Sequence, residues 1–315
     1  MKKVSIILPA YNEAESLPLV KDRMEAVALQ NTQYEWEFLF VNDGSTDESS
    51  ERMALLHRAD SRFNYVDLAR NYGKEIALLA GFDYATGDAT IVMDADMQHP
   101  IDVIPEMLRY WEDGYDDIYA QRKTSNEGWL KKNTSKLYYR VLQGLTRIPI
   151  QKDAGDFRLL DRSCVEALKS MRESERNTKG LYSWIGFKKK RIFYHQLERK
   201  YGHTKWSLFG LMGLALNGLM AYSIFPLRFA SIAGSCVSAG AFCYLLHIVL
   251  KTLFFDEPVA GFPTIMVTIL FLGGIQLLCL GVIGEYLGRV FMETKQRPSY
   301  FVSSYNGKRD KLRRN

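Results

Sequence analysis

The stretch "ATIVMDADMQHP", Ala89 to Pro100, fixes the first reading of this chain. An apolar, β-branched run reads as a buried strand, and two aspartates one residue apart close it. Carboxylates at Asp94 and Asp96 repel each other and resist burial, so they call for a positive partner. Residues i and i+2 of a strand point the same way, and Gln98 continues that series with a neutral oxygen. Hard divalent cations such as Mg²⁺ and Mn²⁺ prefer carboxylate oxygens and share their coordination with substrate phosphates. Two other readings compete: a loop that caps a helix, and a phosphatase with an aspartate nucleophile. The phosphatase would want threonine or valine two residues beyond the second aspartate, where Gln98 stands.

Working outward, apolar runs at 4–8 (VSIIL), 37–41 (EFLFV), 65–68 (YVDL) and 117–120 (DIYA) read as further strands. Helical patterns cover 47–59, 74–85 and 102–113. Ser45 or Thr46 is expected to cap the first helix, and Gly87 to end the second. Alternating strands and helices predict an α/β fold with a mostly parallel sheet covered on both faces. Such sheets bind ligands at the carboxyl ends of their strands. Three polar clusters fall there: Pro9 to Glu13 (PAYNE), Val41 to Ser45 (VNDGS), and the aspartate pair.

The 315 residues carry a net charge of +5, too mild to argue for nucleic acid, and no basic–aromatic stripe is present. The four cysteines form no CxxC pair, and three lie in apolar segments, so neither a disulfide framework nor a zinc site is expected. The N-terminus reads as a first strand and not as a signal peptide, so the domain at 1–205 is expected in the cytoplasm.

Phe229 to Lys251 and Phe262 to Gly284 are apolar stretches of 23 residues each. At ~1.5 Å per residue, each is long enough to cross a hydrocarbon core of about 30 Å. They predict a two-helix transmembrane hairpin within 229–288, preceded by a segment at 206–228 read as interfacial or packed between subunits, with a third span or a buried helix of the soluble domain as alternatives for 207–225. A basic tail follows at 289–315. The positive-inside rule puts that tail and the "KKKR" cluster, Lys188 to Arg191, on the cytoplasmic side. A helix at 131–147 mixes basic and apolar residues and could rest on a bilayer or be an ordinary surface helix. Gly234, Ser238 and Gly240 permit close helix contacts and leave a homo-oligomer open.

Taken together, "VSIILPAYNE", "VNDGSTD", "ARNYGKEIALLAG", "MDADMQHP", "DAGDFRLLDR", "ERKYGHTKW" and the hairpin resemble family 2 glycosyltransferases of the GT-A fold. The closer likeness is to polyprenyl-phosphate glycosyltransferases, the dolichyl-phosphate mannose synthases and bactoprenol glucosyltransferases, and it extends over almost the whole chain. The resemblance implies that Pro9, Tyr11, Glu13, Asp43 and Asp94 bind the nucleotide. It implies that Asp94, Asp96 and Gln98 hold Mg²⁺ or Mn²⁺ and that Asp156 faces the sugar, with Arg158 nearby. Arg122, Arg199, Tyr201 and Lys205 then match residues at the acceptor phosphate and the donor diphosphate. Asp94, Asp96 and Asp156 become the candidate catalytic set.

The implied reaction moves a sugar, with glucose from UDP as first choice, from a nucleotide diphosphate to undecaprenyl or another polyprenyl phosphate, with inversion. N-acetylhexosamine, mannose and aminoarabinose stay open as the sugar. A processive polysaccharide synthase would want QxxRW and more spans. A non-catalytic membrane adaptor on the same scaffold is the alternative of another class.

Overall fold

The structure, a computed structural model, describes residues 1–95, 99–122, 154–174, 176–194, 225–255 and 261–308. The helix expected at 131–147 and the segment at 206–224 lie outside the described residues, as do Asp96, Gln98, Arg199, Tyr201 and Lys205. The chain divides into two compact units, Met1–Trp206 together with Arg297–Asn315, and Ser207–Gln296.

In the first unit the elements run β1 (Lys2–Ala10), α1 (Leu17–Gln30), β2 (Tyr34–Asn42), α2 (Ser49–Ala59), β3 (Phe63–Leu68), α3 (Lys74–Tyr84) and β4 (Ala89–Val92). A short 3₁₀ turn at Ile101–Val103 leads into α4 (Ile104–Glu112). Then come β5 (Asp117–Arg122), β6 (Ala154–Asp161), α5 (Arg162–Ser170), α6 (Thr178–Trp184) and β7 (Lys189–Tyr194). The second unit contributes α7 (Phe225–Phe255) and α8 (Phe262–Thr294), after which β8 (Val302–Tyr305) returns to the first.

The eight strands form one sheet in the order β7-β5-β6-β4-β1-β2-β3-β8. Neighbouring strands β1 to β4 are parallel, as are β5 and β7. Only β6 and β8 run against their neighbours. This is the Rossmann-like, mostly parallel α/β arrangement expected of the GT-A fold. Its central strands read as continuous apolar runs because both faces are covered. Ile6, Leu8, Phe38 and Phe40 pack under one layer, and Ile7, Leu39, Val41 and Val92 under the other.

Several expectations change. Ser45 and Thr46 do not cap α2, which starts at Ser49; Asp47 accepts the Ser49 amide at 3.0 Å instead. Gly87 lies beyond the end of α3, where a Cβ would meet the Ser5 nitrogen at 2.7 Å. The "KKKR" cluster leads into edge strand β7, which begins at Lys189. Lys189 Nζ lies 3.0 Å from the buried Asp117 carboxylate, and Lys188 and Lys190 sit over the Tyr115 ring. The segment read as a basic tail is helical up to Thr294 and then supplies β8.

In the second unit α7 and α8 pack together, with Ala230 buried and Gly234 facing Cys279 Sγ. Many of their large apolar side chains point outward, among them Phe242, Leu246, Phe271, Leu277 and Leu280. Among the described residues one segment, Val267–Thr294, is long and apolar enough to cross a membrane, with mean hydropathy 2.2.

Candidate active site

The carboxyl ends of β1, β2 and β4 form one edge of the sheet, and the start of the reversed β6 lies on the same edge. Val92 of β4 pairs with Arg158 of β6. Continuing that antiparallel register two residues outward sets Asp94 opposite Asp156. The side chains bear this out. Lys74, the first residue of α3, places Nζ 2.6 Å from Asp94 Oδ1 and 2.8 Å from Asp156 Oδ2. Lys74 is therefore a positive partner of the first aspartate, and the sequence reading did not single it out.

Burial works against the charge on Lys74, but the two carboxylates outweigh it and hold the ammonium above the usual lysine range. Burial likewise works against ionised Asp94, and His99 together with Lys74 keeps its carboxyl well below the usual range. His99 Nε2 stands 3.5 Å from Asp94 Oδ2. The imidazole is buried and stacks on Phe157 at 4.7 Å between ring centres. His99, left without a role by the sequence, thus orients Asp94.

Asp156 Oδ1 is buried and has no hydrogen-bond partner among the described residues. A carboxylate oxygen in that position is expected to meet a ligand or cation. Arg158, two residues on, does not join it. Its guanidinium pairs with Asp117 at 3.1 Å and lies 3.6 Å over the Tyr182 ring, all three side chains being buried.

The other wall comes from β1 and β2. Asp43, just past β2, is buried and accepts the amides of Tyr72 at 2.7 Å and Gly73 at 2.9 Å. Burial nevertheless raises its carboxyl above the ordinary aspartate value. Gly44 has φ +64°, and a Cβ there would meet the Arg70 carbonyl carbon at 2.4 Å. Glycine is required because the 69–73 loop presses against this turn. Asn12 adopts φ +56°, a left-handed conformation that asparagine tolerates better than most residues. Its amide donates to Ser45 Oγ at 2.9 Å, and its Oδ1 accepts the Thr46 amide at 2.8 Å. The "YNE" and "NDGS" segments are thereby tied into one rim.

Pro9 sits in β1 opposite Val41, and Tyr11 is exposed on the rim. Glu13 turns its carboxylate toward Ser16 Oγ at 2.8 Å. Arg122 ends β5, exposed, on the same edge. The structure therefore brings Pro9, Tyr11, Glu13, Asp43, Asp94, Arg122 and Asp156 to one edge of the sheet. No cluster of three His, Cys, Asp or Glu side chains that could hold a metal forms among the described residues. Asp94 and Asp156 nevertheless already share one cation, the Lys74 ammonium, and the free Oδ1 of Asp156 adds a hard oxygen. This donor chemistry fits Mg²⁺ or Mn²⁺.

Comparison with known proteins identifies the family. Residues 5–169 match the family described as "Glycosyl transferase family 2". The uncharacterized glycosyltransferase sll0501 of Synechocystis is 41% identical, over 97% of this chain and 96% of its own length. The prophage bactoprenol glucosyl transferase homolog of Escherichia coli K12 is 41% identical over 95% and 98%, respectively. The bactoprenol glucosyl transferase of Shigella phage SfX is 39% identical over 96% and 99%. The family match and the named glycosyltransferase relatives define a sugar-transferring enzyme. The chain belongs to glycosyl transferase family 2.

Proposed function

We propose that the protein transfers a sugar from a nucleotide diphosphate donor to a polyprenyl phosphate at the cytoplasmic face of a membrane. The observation that carries this is the convergence of Asp43, Asp94 and Asp156 on one sheet edge, with Lys74 between the last two. Relatives of near-equal length bear the name bactoprenol glucosyl transferase, which favours undecaprenyl phosphate as acceptor and glucose, carried by UDP, as the sugar.

Asp43 and the Asn12–Ser45 rim would receive the base and ribose, with Pro9, Tyr11 and Glu13 beside them. Asp94, Asp156 and, from the sequence, Asp96 and Gln98 would hold Mg²⁺ or Mn²⁺. When bound, such an ion offsets the charge of the diphosphate leaving group. Lys74 adds a fixed positive charge where that leaving group departs, and its contact with Asp156 aims that carboxylate across the site.

The acceptor's second pKa is about 6, so its phosphate is largely anionic at neutral pH and needs little help from a general base. Asp156 therefore orients the donor sugar more than it accepts a proton. Arg122 and the sequence-predicted cations Arg199 and Lys205, with Tyr201, would attract the two phosphate groups.

The membrane reading has its own support. Strand β8, beyond α8, pairs with β3 of the same sheet that precedes α7. Chain on both sides of the long helices thus belongs to one sheet, which favours an even number of crossings, and α7 and α8 would supply two. Incubating membranes with undecaprenyl phosphate and a panel of nucleotide sugars, then weighing the lipid product, tests the reaction. A lipid that gains no hexose from any donor refutes it.

A further inference from the structure

The chain that follows α8 does more than close the sheet. Only residues 295–301 separate α8 from β8. From Phe301 onward this segment is linked to the two loops that hold the proposed nucleotide wall, directly to 69–73 and through Asp67 to 42–45. Phe301 binds the 69–73 loop at both ends: its carbonyl accepts the Ala69 amide at 2.9 Å, and its amide donates to Tyr72 Oη at 3.3 Å. The amides of Tyr72 and Gly73 are the donors that fix the Asp43 carboxylate.

A second link is independent of the first. Ser304 Oγ donates to Asp67 Oδ2 at 2.7 Å. The other oxygen of Asp67 accepts Asn42 Nδ2 at 2.7 Å and Ser50 Oγ at 2.9 Å. Asn42 Oδ1 in turn accepts the Ser45 amide at 3.0 Å, and Ser45 Oγ accepts the Asn12 amide. A chain of bonds thus runs from β8 to the rim that joins "NDGS" to "YNE".

We propose that the segment 300–305 is a positioning element of the donor site. Through Tyr72 it sets the amides that aim Asp43, and through Ser304 and Asp67 it sets the turn at 42–45. This rests on the reading of Asp43 as a nucleotide ligand. Tyr72 and Ser304 are the positioning residues. Removing either bond lets its loop sample other geometries, and the nucleotide must then reorder it on binding. Tyr300 supplies the internal comparison. Its hydroxyl bonds Asp83 on α3 at 2.6 Å, so that bond anchors the same segment to α3 and not to either loop.

The test is UDP binding in the presence of Mn²⁺, measured calorimetrically on the detergent-solubilised full chain, with thermal unfolding in parallel. Tyr72→Phe and Ser304→Ala are expected to raise the UDP Kd by roughly three- to tenfold each, the scale of one lost hydrogen bond. In turnover they raise the donor KM and leave kcat nearly unchanged. Tyr300→Phe is expected to lower the unfolding midpoint while leaving the Kd within about twofold. The inference is overturned if Tyr72→Phe and Ser304→Ala leave the Kd unchanged, or if Tyr300→Phe raises it equally. Asp43→Asn separates the two levels. If it weakens UDP binding and the positioning variants do not, only the inference fails. If it has no effect, the nucleotide reading fails with it.

Discussion

Replacing Lys74 by methionine keeps the aliphatic stem and removes the ammonium lying between Asp94 and Asp156. Two charge-assisted hydrogen bonds go with it, at 2.6 and 2.8 Å. Such bonds contribute about 1.5–3 kcal/mol each when well shielded. The Lys74 side chain is 43% exposed, so solvent screens part of that. A loss of about 2–3 kcal/mol for the metal-free protein is the resulting figure. Asp156 suffers most, because its other oxygen has no partner among the described residues. In EDTA, the unfolding midpoint of Lys74→Met should drop by roughly 5 °C or more. Added Mn²⁺ replaces the missing charge, so the variant should gain more from the ion than the parent does. Differential scanning fluorimetry of both proteins with and without Mn²⁺ reads this directly, with no turnover required. Equal midpoints in EDTA, or a smaller Mn²⁺ gain in the variant, would refute Lys74 as the resident counterion of this pair.

Asp156→Asn should keep more lipid-linked product than Asp94→Ala, because the acceptor phosphate arrives already ionised; equal and complete loss in two folded variants would restore a general-base role. Burial raises the Asp43 carboxyl, so acidification protonates it at a higher pH than an exposed aspartate. UDP affinity should therefore hold above that raised value and fall as pH drops through it. Asp43→Asn should lack this step, and identical pH profiles for the two proteins would count against it. Arg158→Met leaves buried Asp117 with Lys189 as its remaining cation and should cost about 2–4 kcal/mol of stability, read by denaturant unfolding. Unchanged stability would show that Arg158 is no strut. Tags at the N- and C-termini should be equally protected from protease in sealed, inside-in vesicles, and opposite protection would exclude two spans.

Strands rich in apolar and β-branched residues were legible as runs: β1, β2, β3, β4 and β5 stand where the pattern puts them. Strands β6, β7 and β8 were hidden by chemistry that only tertiary partners satisfy. In β6, Asp156 and Arg158 look like loop polarity until Asp117 and Tyr182 are seen to accommodate the arginine. In β7, the lysines are neutralised by Asp117 or rest on tyrosine rings. The four residues of β8 are too short and polar to announce a strand, and their partner β3 lies more than two hundred residues earlier. Lys74 did leave a signal. A cation at the first position of a helix opposes the positive end of the helix dipole, so a nearby anion is needed to hold it. His99 left none, because its burial depends on stacking against Phe157 from a distant strand.

The reversal of β6 is what makes the pair of carboxylates usable. In a wholly parallel sheet, every site residue at the carboxyl edge comes from the loop that leaves a strand, and neighbouring loops diverge. Because β6 enters the sheet at that edge, Asp156 belongs to the start of a strand and inherits its register against β4. Directly paired residues on adjacent strands stand about 5 Å apart, close enough for one cation to touch both side chains. Asp156 is therefore placed by its strand, and Asp94 stands two residues beyond the last recorded β4–β6 pair, which lends the pair the rigidity that aiming at a reacting centre requires. Lys74 reaches them from a helix packed on the same sheet, so all three charges are carried by regular elements or their immediate ends. The loops at 42–45 and 69–73, which hold the proposed nucleotide wall, lack that support from pairing. They are instead linked, among the described residues, to the segment that follows α8, so chain returning from the apolar helices supports these two loops.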